Sequence, residues 1–410
     1  MPTAISLYSG VGGLDFGFEA ARLETRVAIE LDRVCCDALA ENRPNWPVLR
    51  GDIHDFTSEQ ILDTAGLASG EADVLIGGPP CQPFSKAGFW ASGETKRLED
   101  PRSSTLEQYL RVLHDARPRA FLLENVPGMA FNAKSEGLRL LLDGIEAINR
   151  SAGTAYSPSV AKLNASHYGV PQQRERVFLV GARDGMPFRF PAPSHADMDD
   201  ADLLSQGLEP LRTAWDAIGD LPQELDDPAL RMRGKWADLL PTIPEGENYL
   251  WHTGRGGGES IFGWRTRFWS FLLKLAKNRP AWTIQAQPGP AVGPFHWRSR
   301  HLSPQELCRI QTFPDGLRFQ AGHRDVQRML GNAVPSLLAE VLAREIRVQL
   351  LDGMEGLPRE PMLMPPRRGQ IPPPEPLAPL PERYRRLIGE YEDHPGTGLG
   401  PGARRRADAA

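Results

Sequence analysis

The sequence predicts an α/β protein, with a doubly wound, mostly parallel sheet and a smaller, irregular domain after it. Over residues 1–184, short apolar segments alternate with longer helical patterns, which is typical of a parallel sheet covered by helices on both faces. The chain has 410 residues, of which 40% are hydrophobic, so it is long enough for two or three domains. Beyond residue 184 the alternation stops, and uneven charge and high proline content take its place.

The predicted strands follow one another in a regular order. They are short and rich in branched apolar residues, and they cover 5–8, 26–30, 48–51, 73–76, 120–123 and 177–181. Helical patterns separate them, most clearly over 106–116 and 136–149. Since ligands of such sheets bind at the carboxyl ends of the strands, the segments just after each strand are expected to carry the chemistry.

Composition excludes several classes of protein. The formal net charge is −5, and no apolar run approaches the ~20 residues that a membrane helix needs. The N-terminal residues lack the basic and apolar regions of a secretory signal. Four cysteines without a CxxC pair predict neither a disulfide framework nor a zinc site. We therefore expect a cytoplasmic protein with no metal and no membrane segment.

The region after the predicted sheet has an uneven charge distribution. Residues 195–228 contain ten acids and one arginine, whereas 231–300 contain eleven Lys and Arg against four acids. Six of the nine tryptophans also fall within 231–300. Basic, aromatic and glycine residues in this mixture are typical of a surface that follows a nucleic-acid backbone. A solvated basic face above a small tryptophan core explains the same composition.

The C-terminal residues 351–410 contain 12 Pro and 8 Gly. Such a segment buries too little apolar surface to offset its chain entropy. We expect a largely disordered tail with a short helix around 382–391.

The first two strands are followed by residues that suit a nucleoside. Ser9, Gly10, Gly12 and Gly13 form a turn through which the backbone can approach a ligand closely. Asp15 stands where a dinucleotide fingerprint needs its third glycine, which disfavours a pyrophosphate cofactor.

Two acids follow the next strands. Glu30 ends the second strand, where an acid accepts hydrogen bonds from ribose hydroxyls, and Asp52 after the third could accept from an adenine amino group. Either acid alone is more often a plain surface carboxylate. Together at successive strand ends, they favour an adenosine pocket without phosphates.

Cys81 lies in the loop after the fourth strand, within the segment GGPPCQPFS. Its prolines and glycines make a stiff, non-repetitive loop at the functional edge of the sheet. This position favours a nucleophile over a cysteine that only fills the core.

The following strands add an acid and two arginines. Glu124 and Asn125 end the fifth strand, and Arg174 and Arg176 are two residues apart, which in a strand places both guanidinium groups on one face. A thiolate can add to an electron-poor ring when an acid or arginine relieves the charge that develops. Cytosine fits this chemistry, because addition at C6 makes C5 able to take a methyl group from a sulfonium.

These motifs in this order resemble the DNA (cytosine-5) methyltransferases from about residue 5 to residue 346. The matching segments are LYSGVGG at residue 7, PCQPFS at 80, ENV at 124, QxRxR at 172 and GNAV at 331. Tyr8 stands where the family usually has Phe, and Ala333 where Ser is frequent. The resemblance implies the S-adenosylmethionine-dependent methyltransferase fold, with a catalytic domain over 1–184 completed by 326–350 and a target-recognition domain over 185–325.

The resemblance also implies roles for individual residues. The catalytic residues are expected to be Cys81, Glu124, Asn125, Arg174 and Arg176. The S-adenosylmethionine site is expected to be formed by Tyr8, Ser9, Gly10, Gly12, Gly13, Glu30, Asp52, Ile53, Pro79, Asn332 and Ala333. Independently of the resemblance, Arg255, Arg265 and Arg267 are expected to contact DNA because they flank glycines and aromatic residues, and Ser85 is expected to join them. Lys274 and Lys277 are instead assigned to a scaffold, because a helical pattern covers 268–276.

The family further implies a monomeric enzyme that acts on double-stranded DNA, most often within a prokaryotic restriction–modification system. Two alternatives stay open at this point. One is methylation of cytosine in RNA, because a tRNA-methylating branch shares the same motifs, although that branch has a more compact recognition segment. The other is a DNA-binding module with a decayed site, against which the intact Cys81, Glu124, Arg174 and Arg176 argue.

Overall fold

The computed structural model describes residues 1–80, 104–130, 136–197, 199, 207–224, 226–263, 268–351, 353 and 355–389. Within these residues, seven strands form one sheet in the order β3-β2-β1-β4-β5-β7-β6. The strands are β1 Thr3–Leu7, β2 Glu24–Glu30, β3 Val48–Arg50, β4 Val74–Gly77, β5 Ala120–Asn125, β6 Ser159–Asn164 and β7 Glu175–Ala182. All six predicted strands are confirmed, with bounds that differ by a few residues.

Strands β1 to β5 are parallel, and β7 is antiparallel to both of its neighbours. The sequence did not predict β6, an edge strand whose first four residues alternate between partly buried and exposed. The strand order reverses between β1 and β4, and a ligand crevice forms at such a point in doubly wound sheets.

Helices cover both faces of the sheet. They are α1 Gly13–Ala20, α2 Arg33–Asn42, α3 Ser58–Ala65, α4 Ser104–Ala116, α5 Pro127–Ala130, α6 Glu136–Ala152, α7 Ala214–Ile218, α8 Pro304–Ile310, α9 His323–Asn332, α10 Ser336–Leu350 and α11 Glu382–Arg385. Alternate residues of β5 face opposite cores: Phe121 packs with α3, α4 and α6, and Leu122 packs with α1 and α10. The doubly wound arrangement is therefore confirmed.

Residues 185–325 are less regular, with short strands β8 His195–Ala196 and β9 Glu209–Pro210 beside α7 and α8. A separate core forms around Leu240, Tyr249, Phe262 and Phe271. A third cluster joins α7 and α8 to Phe16 of α1 and to α9, so the recognition region and the catalytic region share apolar packing.

The segment 268–276 differs from its expectation, because the structure has turns and isolated bridges there instead of a helix. Phe271 pairs with Val292 and Lys274 with Phe295, so tertiary contacts override the helical apolar pattern. The expectation that Lys274 and Lys277 serve as scaffold agrees with their burial, at 2% and 3% exposed.

The tail also departs from its expectation over 355–389, which lie against the rest of the chain. The short helix is present as α11, and Tyr384 within it is 2% exposed. Residues 390–410 lie outside the described part. Among the described residues, no helix is long and apolar enough to cross a membrane.

Candidate active site

The loop after β4 is fixed from the neighbouring strand β5. Asn125 donates from Nδ2 to the carbonyl of Pro79 at 3.2 Å. A Cβ at Gly78 would stand 2.8 Å from a carboxylate oxygen of Glu124, so a larger residue there would displace the acid from its present position. The two residues that end β5 therefore position the backbone directly before Cys81, which lies outside the described residues.

Glu124 and Arg176 form an ion pair at this edge. The Arg176 Nε lies 2.8 Å from Glu124 Oε1, and the two side chains are 13% and 11% exposed. Asn125 pairs with Val177, so the register places Arg176 just beyond the end of β5. Burial raises the pKa of Glu124 above its usual value, while Arg176 and Arg174 act in the opposite direction. The site thus holds an acid that is biased toward protonation beside a cation.

Arg174 differs from the expectation that both arginines act as a pair on one strand face. Strand β7 begins at Glu175, so Arg174 lies before it and is only 1% exposed. Its guanidinium donates to the carbonyls of Ile284 at 3.3 Å and Gly331 at 2.7 Å. Arg174 therefore ties the segment before β7 to the recognition region and to α9, and only Arg176 bonds to Glu124.

A buried amide network supports the same junction. Gln172 donates to Gln311 Oε1 at 3.0 Å and accepts from the Ile284 amide at 3.1 Å. Gln311 in turn donates to the Leu330 carbonyl. The motif search singled out Gln172 only as a family position and missed Gln311, because their contact spans 139 residues and has no local signal.

The glycine turn after β1 lies over the carboxyl ends of β1 and β2. Tyr8, Gly10 and Gly12 have positive φ values of 57°, 55° and 89°, and the space next to the Gly10 Cα is open. The Ser9 amide donates to the Ile29 carbonyl at 3.1 Å, which fixes the turn to β2. Such a turn leaves room for a ligand directly above its backbone.

Glu30 holds this turn from β2. Its carboxylate accepts from the Gly10 amide and from the Asp32 amide, both at 2.7 Å. Burial raises the pKa of Glu30, and these hydrogen bonds oppose the rise. Each carboxylate oxygen keeps a lone pair for a further donor such as a ribose hydroxyl.

Asp52 and Ile53 follow β3 at the same edge. The Asp52 side chain is 46% exposed, and its Oδ1 accepts from the His54 amide at 3.0 Å and contacts the His54 ring. Ile53 is 3% exposed, and its side chain packs in the sheet core.

The late segment GNAV closes on the glycine turn, as the sequence predicts. A side chain at Gly13 would stand 2.3 Å from the Val334 carbonyl and 3.2 Å from Ala333 Cβ. Asn332 is exposed at the end of α9. Gly13 and Ala333, which are 320 positions apart, thus meet at the predicted cofactor pocket.

Asp15 and Arg328 are two features of this pocket that motif reasoning did not identify as functional. Asp15 is fully buried in the first turn of α1, and burial raises its pKa to about 7. Arg328 of α9 pairs with Asp32, the residue whose amide binds Glu30. Its partner is 296 residues away, so no local pattern could have revealed the pair.

The predicted DNA contacts are described only in part. Ser85, Arg265 and Arg267 lie outside the described residues, as does Cys81. Arg255 is exposed in a glycine-rich turn, where its amide donates to Thr253 Oγ1 at 3.3 Å. In the described part of the chain, no group of three or more His, Cys, Asp or Glu residues could hold a metal ion.

Many basic and tryptophan side chains of the stretch 231–300 form ion pairs or pack inside the molecule. Lys277 binds Glu245 at 2.7 Å, and Arg300 binds both carboxylate oxygens of the buried Glu306 at 2.7 Å. Trp297 is 1% exposed, and Trp236 packs on the core around Phe262. For these residues the second interpretation of the composition, a small tryptophan core, is the correct one.

A model of the C-5 cytosine-specific DNA methylases matches residues 3–348. The chain belongs to this family. Its members share the S-adenosylmethionine-dependent methyltransferase fold, and the methylase described here therefore acts on cytosine in DNA.

Curated relatives of this methylase match over most of its length. The Type II methyltransferase M.SacI of Streptomyces achromogenes is 40% identical over 369 residues, which cover 84% of this chain and 93% of that protein. The Type II methyltransferase M.NgoFVII of Neisseria gonorrhoeae is 30% identical over 358 residues, which cover 86% and 88%.

Solved structures of low sequence identity share the fold. A prophage-encoded E. coli protein described as a DNA modification methyltransferase has a TM-score of 0.60 at 23% identity and covers 85% of this chain and 99% of its own. The S. pombe Dnmt2 methyltransferase has a TM-score of 0.53 at 17% identity, with 85% and 98% covered. At these identities the likeness concerns the fold alone.

Proposed function

We propose that this methylase transfers a methyl group from S-adenosylmethionine to C5 of a cytosine that is flipped out of a specific duplex DNA site. The observation that carries the proposal is the buried Glu124–Arg176 pair beside the loop that Asn125 fixes before Cys81. An acid, a cation and a thiol at one sheet edge are what addition to a cytosine ring requires.

Cys81 is the nucleophile in this proposal. C5 of cytosine is a poor nucleophile, and addition of the Cys81 thiolate to C6 makes C5 carbanion-like. The C5 electrons then take the methyl group, a base removes the C5 proton, and the thiolate leaves as the C5–C6 double bond reforms. The chain emerges unchanged, with one methyl group gained by cytosine and one proton released.

Glu124 and Arg176 relieve the charge that the thiolate adds to the ring. Because burial raises the pKa of Glu124, its carboxyl is suited to donate a hydrogen bond or a proton to N3. Arg176, held by Glu124, is suited to contact O2. Arg174 acts as a positioning residue, since its two terminal guanidinium nitrogens donate to the carbonyls of Ile284 and Gly331.

The residues at the glycine turn fit S-adenosylmethionine, which supplies an electrophilic methyl group. Glu30 would hold the ribose hydroxyls and Asp52 the adenine amino group. The open backbone at Gly10 and the adjoining Asn332 and Ala333 would hold the methionine portion. Tyr8, Ser9, Gly12, Gly13, Ile53 and Pro79 would form the surrounding backbone.

Base flipping follows from the geometry of the reaction. C5 and C6 of a stacked cytosine are closed to a thiolate on one side and a methyl donor on the other, so the nucleotide must leave the duplex. We expect the monomeric enzyme to bind DNA between the sheet edge and the recognition region 185–325. We further propose that it is the modification enzyme of a restriction–modification system, since its curated relatives are named Type II methyltransferases.

Bisulfite sequencing of DNA from cells that express the enzyme tests the proposal. We expect one short sequence to carry 5-methylcytosine at every copy, and no methylation in cells that express Cys81→Ala. Labelled methyl transfer to tRNA but not to duplex DNA would favour RNA methylation instead. No transfer to either substrate would favour a DNA-binding module without activity.

A further inference from the structure

Among the residues of 231–300 that the structure describes, two tryptophans are exposed at the surface. Trp269 is 53% exposed and Trp282 is 38% exposed, and their ring centroids lie 5.7 Å apart at an interplanar angle of 72°. Two indole rings in contact at the surface form an exposed apolar patch. Folding alone does not favour such exposure.

The residues on either side of Trp282 are hydrogen-bonded to the segment that leads to the candidate active site. Gln172 bridges to Ala281, the Gln173 amide donates to the Ala281 carbonyl at 2.8 Å, and Thr283 Oγ1 donates to the Gln173 carbonyl at 2.6 Å. Trp282 therefore lies on the segment 281–283, which is hydrogen-bonded to residues 172–173. Those residues lead along the chain to Arg176. Since Arg176 is three residues after Gln173, their Cα atoms are within about 11 Å of each other.

A cation accompanies the two rings. Arg279 is exposed three residues before Trp282, and it forms no ion pair with any residue that the structure describes. Its backbone is fixed, because its carbonyl accepts from the Ala214 amide at 2.8 Å. This contrasts with Lys277 and Arg300 of the same stretch, which are neutralised by buried acids.

We propose that Trp269, Trp282 and Arg279 form a DNA-contacting ledge at the edge of the active site. The indole rings pack against nucleotides next to the target cytosine, and Arg279 contacts a phosphate of the same strand. The partner is nucleic acid because flat aromatic faces with an uncommitted cation are the combination that binds bases and phosphates together. This inference rests on the proposed function, which supplies the substrate.

The test compares Trp282→Leu, Trp269→Leu and Arg279→Gln with the wild type on a duplex that carries the methylation site. DNA affinity is measured across a salt series in the presence of S-adenosylhomocysteine. Stacking on an aromatic side chain contributes about 1–3 kcal/mol per base, so each leucine variant should bind about 5- to 150-fold more weakly with an unchanged salt slope. Arg279→Gln should lower the salt slope by about one unit.

Two control variants distinguish loss of the proposed DNA contacts from an unspecific effect of substitution. Trp282→Phe should recover most of the lost affinity, and Arg359→Gln, at an arginine whose side chain is 97% exposed in the tail, should keep the wild-type slope. Cofactor affinity should stay within twofold in all variants. If the three ledge variants match the wild type in DNA affinity and slope while the wild type methylates the duplex, the ledge is wrong and the proposed function stands. A wild type that methylates no duplex overturns both.

A second inference rests on a different part of the molecule, the C-terminal strap, which we define as residues 355–389. The strap lies wholly beyond residues 3–348 that match the family. It starts on α10, where Glu340 accepts from the amides of Met362 and Leu363 at 2.6 and 2.9 Å. It then crosses to the recognition region, where Arg368 lies 2.8 Å from Asp220.

The strap completes the environment of a buried lysine. Lys277 Nζ donates to Glu245 at 2.7 Å and, within the strap, to the Pro373 carbonyl and Glu375 at 3.0 Å each. Glu375 also lies 2.8 Å from Arg298. Removal of Glu375 would leave two cations of the recognition region with fewer partners, which is costly for a buried charge.

The far end of the strap enters the core of the recognition region. The Tyr384 ring stacks on Trp236 at 5.7 Å and 12°, and its hydroxyl donates to the Lys235 carbonyl at 2.6 Å. We infer that the strap is a positioning element that holds the recognition region at a fixed orientation to the catalytic sheet.

Two truncations and one point variant test the strap. Removal of 390–410 should leave activity unchanged, whereas removal of 352–410 should raise the KM for DNA at least tenfold with cofactor affinity within twofold. In the full chain, Glu375→Gln should speed hydrogen exchange around Leu240 and Phe271 while amides of β4 and β5 keep their protection. Unchanged exchange in Glu375→Gln, or an unchanged KM after removal of 352–410, would overturn the inference.

Discussion

Charged side chains are arranged differently at the edge of the sheet and in the stretch 231–300. At the edge, Glu30 is the last residue of β2 and Glu124 is the last but one of β5, so both lie at the carboxyl ends of their strands. In the stretch, Lys277, Arg298 and Arg300 are paired with acids far along the chain or on a neighbouring turn. Position at the carboxyl end of a strand therefore indicates a functional charge more reliably than local charge density does.

The largest expected effect concerns the sheet edge. Glu124→Gln and Arg176→Met should each lower kcat by about 10²- to 10⁴-fold, because each removes a group that relieves charge on the ring. Single-turnover methyl transfer to the target duplex measures this loss. Glu175→Gln is a matched control, since Glu175 is adjacent, exposed and paired with Lys162 at 2.9 Å. Loss of activity in the control alone would place the catalytic acid elsewhere.

A second prediction concerns the buried carboxyl group of Asp15 in the catalytic region. Asp15 has a pKa raised to about 7, so the native state holds its proton between about pH 4 and 7 while the unfolded state releases it. The wild type should therefore lose stability as pH rises through this window. Asp15→Asn should remove that loss and be more stable at pH 8, by up to about 4 kcal/mol.

Urea unfolding of both proteins at pH 5 and pH 8 measures the Asp15 effect. At pH 5 the two proteins should differ little, since the wild-type carboxyl is then protonated in the native state. An Asp15→Asn variant that is less stable at pH 8 would mean that the carboxylate is stabilised there by charge.

The smallest expected effect concerns the cofactor pocket. Glu30→Ala and Asp52→Ala should each weaken S-adenosylmethionine binding by roughly 1–3 kcal/mol through lost hydrogen bonds, with Asp52 at the lower end because it is half exposed. Calorimetry without DNA is the measurement. Wild-type affinity in both variants would mean that the adenosine binds elsewhere.

Much of the catalytic half could be predicted from the sequence because its signals are local. Buried strands, the glycine turn and the acids that follow strands are all encoded within a few residues. The role of Arg174 was not predictable, because its partners Ile284 and Gly331 are 110 and 157 residues away. Proline content predicted a disordered tail, yet contacts of single side chains such as Tyr384 hold 355–389 in place.

The conformation of the segment 268–276 was also not predictable, because it depends on distant contacts. Its apolar spacing predicted a helix, and the backbone instead pairs with residues 292 and 295. A pattern within one segment cannot reveal which distant backbone groups compete for its hydrogen bonds.

The central claim is that Cys81 attacks the cytosine ring at the edge organised by Glu124 and Arg176. The most direct measurement is a denaturing gel of the enzyme with S-adenosylmethionine and a target duplex that contains 5-fluorocytosine, whose C5 carries fluorine in place of the proton that must leave. The wild type should form a covalent protein–DNA complex, and Cys81→Ala should form none while it still binds the cofactor. A Cys81→Ala enzyme that forms this complex, or that methylates ordinary duplex at near the wild-type rate, would contradict it.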